Sequence, residues 1–137
     1  MALAEKNYRK WMGIKSKIHN SHLSKNKAHH TRVRAGEIYW ASLGENIGHE
    51  QDGKGTTFTR PVLIFKRFSE NTILVLPLST NGKNDLFHCR FTIGTTLSSA
   101  ILSQARSVDT ARLGGQIGKI SRLEFRALQA KFFSLLY

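Results

Sequence analysis

The sequence predicts a mainly β domain, a small and strongly curved antiparallel barrel or half-barrel with one C-terminal helix packed on it. Three observations lead there. From Gly36 onward, short alternating or apolar runs are separated by turn residues with no helix between them, which argues against a parallel α/β sheet. Only beyond Ser121 does the apolar period become helical. The chain has 137 residues, 40% of them apolar, enough for one core. Curling such a sheet protects its edges.

Taken in order, residues 5–18 (EKNYRKWMGIKSKI) bring Trp11, Ile14 and Ile18 to one side at spacings of three and four, which predicts a short amphipathic helix. It serves either as a clasp that buries Trp11 or as a basic flap over a nucleic-acid groove, and the two are compatible because lysine stems cover apolar surface. Residues 19–31 read as a linker. Its His19, His22, His29 and His30 are expected to be solvated or to face phosphate, since no Cys or clustered Asp completes a metal set. Strands are predicted at 36–43, 60–67, 71–78, 86–93 and 100–108, five or six in all, with a hairpin link at 68–70 and turns at Asn81–Gly82 and Gly94. Pro77 inside an apolar run suggests an edge strand or a bulge near Leu78–Ser79. For the last helix, Ser121 stands at the cap, Glu124 at the capping-box position, and Phe125, Leu128, Phe132 and Leu135–Leu136 form the apolar face.

Charge divides the chain. Residues 1–34 hold nine Lys/Arg against one acid (+8), and 35–137 hold twelve against eight (+4), for a net +12. Residues 1–33 therefore read as a basic extension and 34–137 as the folded domain, and polyanions are the natural partners. The single Cys89 can form no internal disulfide, and no segment approaches the roughly 20 apolar residues of a membrane span. A cytoplasmic protein, with no membrane association and no cofactor, is the expectation. The DGKG run (52–55) lacks the spacing of a nucleotide P-loop.

Chemistry concentrates at strand and loop ends. The sixteen-residue segment 44–59 is longer than a connection requires and carries His49, Glu50, Gln51, Asp52 and Lys54. Arg60 follows it directly. Ser79 and Thr80 end the third strand, and Gln104, Arg106, Asp109 and Arg112 lie near the end of the fifth. The ordinary alternatives are an Arg106–Asp109 structural ion pair and a plain turn role for Ser79.

Seven ordered blocks make the pattern specific. Gly36-Glu-Ile-Tyr-Trp40, Gly48-His-Glu-Gln51, Arg60-Pro-Val-Leu63, Pro77-Leu-Ser-Thr80, Gln104-Ala-Arg-Ser-Val-Asp109, Arg112-Leu113 and Ile117-Gly118 resemble the MazF/PemK toxin family over about residues 34–137. The resemblance implies an SH3-like barrel, a homodimer, a metal-independent endoribonuclease cutting single-stranded RNA, and an acidic antitoxin that blocks the RNA groove. It assigns Arg60 to the scissile phosphate and Ser79 to the place of a catalytic threonine. It also assigns Glu50 and His49 to binding or acid–base work, and Arg106 and Asp109 to general acid and general base. Gln51, Lys54, Thr80 and Gln104, with Lys10, Lys15 and Lys17 of the extension, are expected to contact RNA. The long stretch from Gln51 to Arg60 and the basic extension depart from the family pattern.

Such a site needs no metal, because RNA supplies its own nucleophile, the 2′-OH. The protein need only accept that proton, hold the phosphate and protonate the 5′-leaving oxygen, giving a 2′,3′-cyclic phosphate and a 5′-OH. Arginine suits the phosphate because its planar fork stays charged. DNA should bind but escape cleavage. Either Asp109, or Glu50 or His49, takes the proton, and imidazole titrates nearest neutrality. Arg60 is expected to be removable without loss of core packing, and the extension to add salt-dependent affinity while the chemistry stays within 49–109. Rival readings are a non-catalytic RNA- or DNA-binding barrel, an inactive toxin-like regulatory partner and a DNA gyrase inhibitor.

Overall fold

The most apolar stretches of the sequence, VLIF (62–65) and ILVLPL (73–78), become neighbouring strands at the middle of the sheet, where both faces are covered. The computed structural model describes residues 5–24, 32–55, 58–80 and 82–137, with the backbone alone at 22–24. In chain order it contains α1 (Tyr8–Ser24), β1 (Glu37–Ser42), β2 (Thr59–Arg67), β3 (Thr72–Ser79), β4 (His88–Ile93), β5 (Thr96–Ile101), β6 (Arg106–Asp109), β7 (Leu113–Lys119) and α2 (Arg122–Ser134). Single 3-10 turns at Leu102–Gln104 and Thr110–Arg112 flank β6.

All strand pairs are antiparallel, in the order β4-β5-β3-β2-β1-β7, with β6 on β3 off that path. Along β2 the side chains alternate between two cores. Leu63 and Phe65 join Ile38, Leu76, Leu78, Phe91 and Leu128 on the α2 side, whereas Val62 and Ile64 join Val33, Leu43, Ile73, Val75 and Val108 on the other. This is the period-two geometry of a strand buried on both faces. The sheet curls until its edges approach, for a Cβ at Gly118 on β7 would stand 3.1 Å from Ile93 Cγ2 on β4.

The predicted fold class holds, with three local corrections. The stretch 100–108 is two strands, because Leu102–Gln104 turns as a 3-10 helix between them, and β7 brings the strand count to seven among the described residues. Pro77 lies neither on an edge strand nor at a bulge. β3 changes partner there, from β6 at Thr72–Val75 to β5 at Leu78–Ser79, so Leu76 and Pro77 have no register partner on that side and a missing N–H costs nothing. The irregularity in the β2–β3 pair falls between Ile64 and Lys66 instead. Finally, α1 continues to Ser24, past the predicted end at 18.

The C-terminal helix follows its sequence signals. Ser121 Oγ accepts from Glu124 N at 3.1 Å, and Glu124 Oε2 accepts from Thr92 N at 3.1 Å, which ties the helix start to β4. Phe65 packs against Phe125 and Phe132 with ring centroids 5.9 and 4.9 Å apart. Among the described residues no helix is long and apolar enough to cross a membrane.

Candidate active site

The segment expected to be an over-long loop folds, at residues 44–55 and 58–59, into a hydrogen-bonded platform. Leu43 N and Gly44 N both donate to Phe58 O at 3.1 Å, Gly53 N donates to Gly44 O at 2.9 Å, and Lys54 and Thr59 exchange a backbone pair. Asn46, which the sequence reading passed over, is the hub. Its N–H donates to Asp52 Oδ1 at 2.6 Å, and its side-chain amide donates to Leu43 O and Gln51 O at 3.1 and 3.0 Å. Glu50 Oε1 accepts from Ile47 N at 2.9 Å. Such Asx-type bonding gives the backbone partners without a ladder. Gly53 has no room for a side chain, since a Cβ there would stand 1.5 Å from Phe58 O. Gly53→Ala should therefore displace the platform and speed hydrogen–deuterium exchange across 45–55 by at least about tenfold; unchanged exchange in the folded variant would contradict this.

Arg60 enters beneath this platform from the start of β2. It is 8% exposed, and its guanidinium donates from Nε to Asp52 O at 2.8 Å and from Nη1 to Leu78 O at 3.0 Å. The hydrogen-bond pattern turns the Gln51 amide oxygen toward it, accepting from Nη2 at 2.6 Å and Nε at 3.1 Å. Burial pulls the guanidinium below its ordinary value, and Asp52 partly offsets that. This corrects the expectation that Arg60 carries no packing: it joins the platform to the end of β3, beside Ser79. Ser79 is half-buried and its carbonyl accepts from Ser98 Oγ at 3.4 Å; Thr80 is exposed.

The 3-10 turn after β5 supplies the opposite wall. Gln104 Oε1 accepts from Gln51 N at 3.0 Å, and Gln104 Nε2 donates to His49 O at 3.5 Å. A cleft of about 250 Å³ opens here, lined by Asn46, Glu50, Gln51, Ser103, Gln104, Ala105 and Arg106. The fold thus brings Glu50, Gln51, Gln104 and Arg106 to one cleft, with Arg60 bonded to Gln51 at its margin. The His49 side chain is exposed, as is Lys54.

Asp109 stands elsewhere. Its Oδ1 accepts from Ala111 N at 2.8 Å, capping the second 3-10 turn, and it lines a separate pocket of about 220 Å³ with Trp11, Lys15, Ile18, His19, Ala111 and Arg112. Arg112 donates to Ser42 O at 3.0 Å and lies 5.9 Å from the Trp11 ring; burial, and then repulsion from Arg106, lower it from its ordinary value. Lys15 lines that pocket, whereas Lys10 and Lys17 are exposed on α1. Among the described residues no group of three His, Cys, Asp or Glu side chains could hold a metal ion. His29 and His30 lie outside the described residues.

Fold and site together define a small basic protein with a strongly curved, barrel-like sheet and a polar cleft bordered by a buried arginine. Residues 34–136 match the family of PemK-like, MazF-like toxins of type II toxin–antitoxin systems, and the chain belongs to that family. Solved structures share the fold. MazF from Deinococcus radiodurans is 22% identical with a TM-score of 0.63, over 76% of this chain and 96% of that one. The Mycobacterium tuberculosis toxin MazF-mt6 is 19% identical with a TM-score of 0.56, over 73% and 95%. A mycobacterial endoribonuclease in complex with its cognate antitoxin is 13% identical with a TM-score of 0.59, over 76% and 94%. No curated protein sequence gave a match.

Proposed function

We propose that the protein is a metal-independent endoribonuclease toxin that cleaves single-stranded RNA, mRNA above all, by attack of the 2′-OH on the adjacent phosphate. The observation that carries this reading is the cleft where Arg106, Glu50 and Gln104 converge beside Arg60 and the Leu78–Ser79 strand end. In it the arginines neutralise charge developing on the phosphate, Arg106 from the cleft wall and Arg60 from its margin. Ser79 supplies a hydroxyl at the same end of β3. Glu50, in the cleft with Arg106, is better placed than Asp109 to take the 2′-proton, since Asp109 caps a turn facing the other pocket. His49 is the alternative base at the rim.

The rest of the reading follows the family. The protein acts in the cytoplasm as a homodimer, and an acidic antitoxin segment neutralises the groove of this +12 chain. A non-catalytic nucleic-acid barrel would gain nothing from a carboxylate in the cleft, because Glu50 repels phosphate.

The test is incubation of the purified protein with single-stranded RNA in EDTA. Cleavage should leave 2′,3′-cyclic phosphate and 5′-OH ends, and one 2′-deoxy substitution at the scissile nucleotide should abolish it. Cleavage that persists at the deoxy position, or needs added metal, would overturn the mechanism; intact RNA would overturn the enzyme reading.

A further inference from the structure

Residues 6–24 precede the span that the family accounts for, yet they hold the platform over Arg60. Lys6 Nζ spends its donors there, on Asp52 Oδ2 at 2.7 Å, Asn46 O at 2.6 Å and Gly48 O at 3.1 Å. Tyr8 Oη donates to Asn46 O at 2.8 Å. Asp52 is shared, for its other carboxylate oxygen accepts from Asn46 N and its carbonyl accepts from Arg60 Nε. One carboxylate residue thus joins the N-terminal segment to the arginine of the proposed site.

Trp11 fixes the helix that presents Lys6. It is 5% exposed, its ring lies 5.8 Å from Phe58 on the platform, and a Cβ at Gly44 would stand 1.9 Å from Trp11 Cε2. Gly44 also has φ +77°, so glycine meets both the backbone and the steric requirement there. The aromatic seat and the lysine contacts therefore grip the same loop.

We infer that Lys6 is a positioning residue: its ion pair with Asp52 and its bonds to Asn46 and Gly48 hold the 44–55 platform in the place from which Asp52 and Gln51 aim Arg60. The inference rests on the proposed ribonuclease reading for its effect on turnover, and not for its effect on the loop. It changes the expected part of the extension. An arm that merely adds charge strengthens RNA binding, whereas a clasp acts on catalysis through the loop. In keeping with that geometry, the hydrogen bond to Asp52 holds the Lys6 pKa above its ordinary value.

The experiment compares full-length wild type, Lys6→Met, Lys6→Arg and, as an exposed control nearby on α1, Arg9→Met. Hydrogen–deuterium exchange of residues 45–55 is measured together with kcat and KM on a short single-stranded RNA. In Lys6→Met, exchange should accelerate at least about tenfold and kcat fall at least about tenfold, with KM within about threefold. Lys6→Arg should recover most of both, and Arg9→Met should change neither. Unchanged exchange in Lys6→Met would overturn the clasp, and faster exchange with unchanged kcat would overturn the positioning role. A rise in KM alone would make Lys6 a phosphate contact. If wild type cuts no RNA, the ribonuclease reading and the catalytic half of this inference fall together, and exchange alone decides whether Lys6 holds the platform.

Discussion

Arg60→Ala is expected to lower RNA cleavage by at least about 100-fold and also to destabilise the protein. The first effect is lost charge stabilisation at the phosphate, for which a single well-aimed donor contributes about 3–4 kcal/mol. The second comes from burial: Asp52 O and Leu78 O lose the donor that joins the platform to β3, and each buried acceptor left unpaired costs about 1–3 kcal/mol. Arg60→Lys should rescue little, because an ammonium cannot reproduce the planar fork that spans Asp52, Gln51 and Leu78. Thermal unfolding and cleavage by the folded fraction check the two effects separately. Near wild-type cleavage would remove Arg60 from the site, and an unchanged melting point would show that the platform does not depend on it.

Leu128→Ala should cost about 2–5 kcal/mol, the range for truncating a buried leucine in a core that cannot collapse around the gap. Leu128 is the buried residue of α2, with no exposure, and it meets a core drawn from β1, β2, β3, β4 and β5. Phe125, Phe132 and Leu135 flank it but are only partly buried, so they cannot close the space without undocking the helix. Urea unfolding should show a lower midpoint with an unchanged slope. A loss below about 1 kcal/mol would mean that α2 is held by its aromatic rim rather than by its buried leucine.

Much of the architecture is legible in the sequence because it rests on short-range rules. Alternation in 62–65 and 73–78 marks strands covered on both faces, and the Ser121 cap with the Phe125–Leu128–Phe132 stripe marks the last helix. The breaks are less legible. Leu102–Gln104 has no glycine or proline to mark its turn, which falls where β3 changes partner from β6 to β5, an arrangement of strands far away in the chain. The alternating or apolar pattern that announces most strands is missing from β7, whose glycine-rich Leu113-Gly-Gly-Gln-Ile-Gly-Lys119 run carries no strand signal until β1 pairs with it.

For the candidate site, polar residues at strand and loop ends, with roles that the family resemblance implies, pointed to Arg60, Ser79, His49, Glu50, Arg106 and Asp109, with Gln51 and Gln104 beside them; of these the structure brings Glu50, Gln51, Gln104 and Arg106 to one cleft. By itself the sequence determined the fold class, the basic character of the chain and the family. Tertiary structure alone decided that Arg60 is buried, that Arg106 and Asp109 line different pockets, and that Lys6 reaches Asp52, forty-six positions along the chain. The physical reason is range. Periodicity and capping act between residues a few positions apart and leave their mark in local order, whereas a salt bridge or a shared carbonyl depends on how separate segments are brought together. Nothing in the spacing of a lysine among other lysines distinguishes the one that meets a carboxylate.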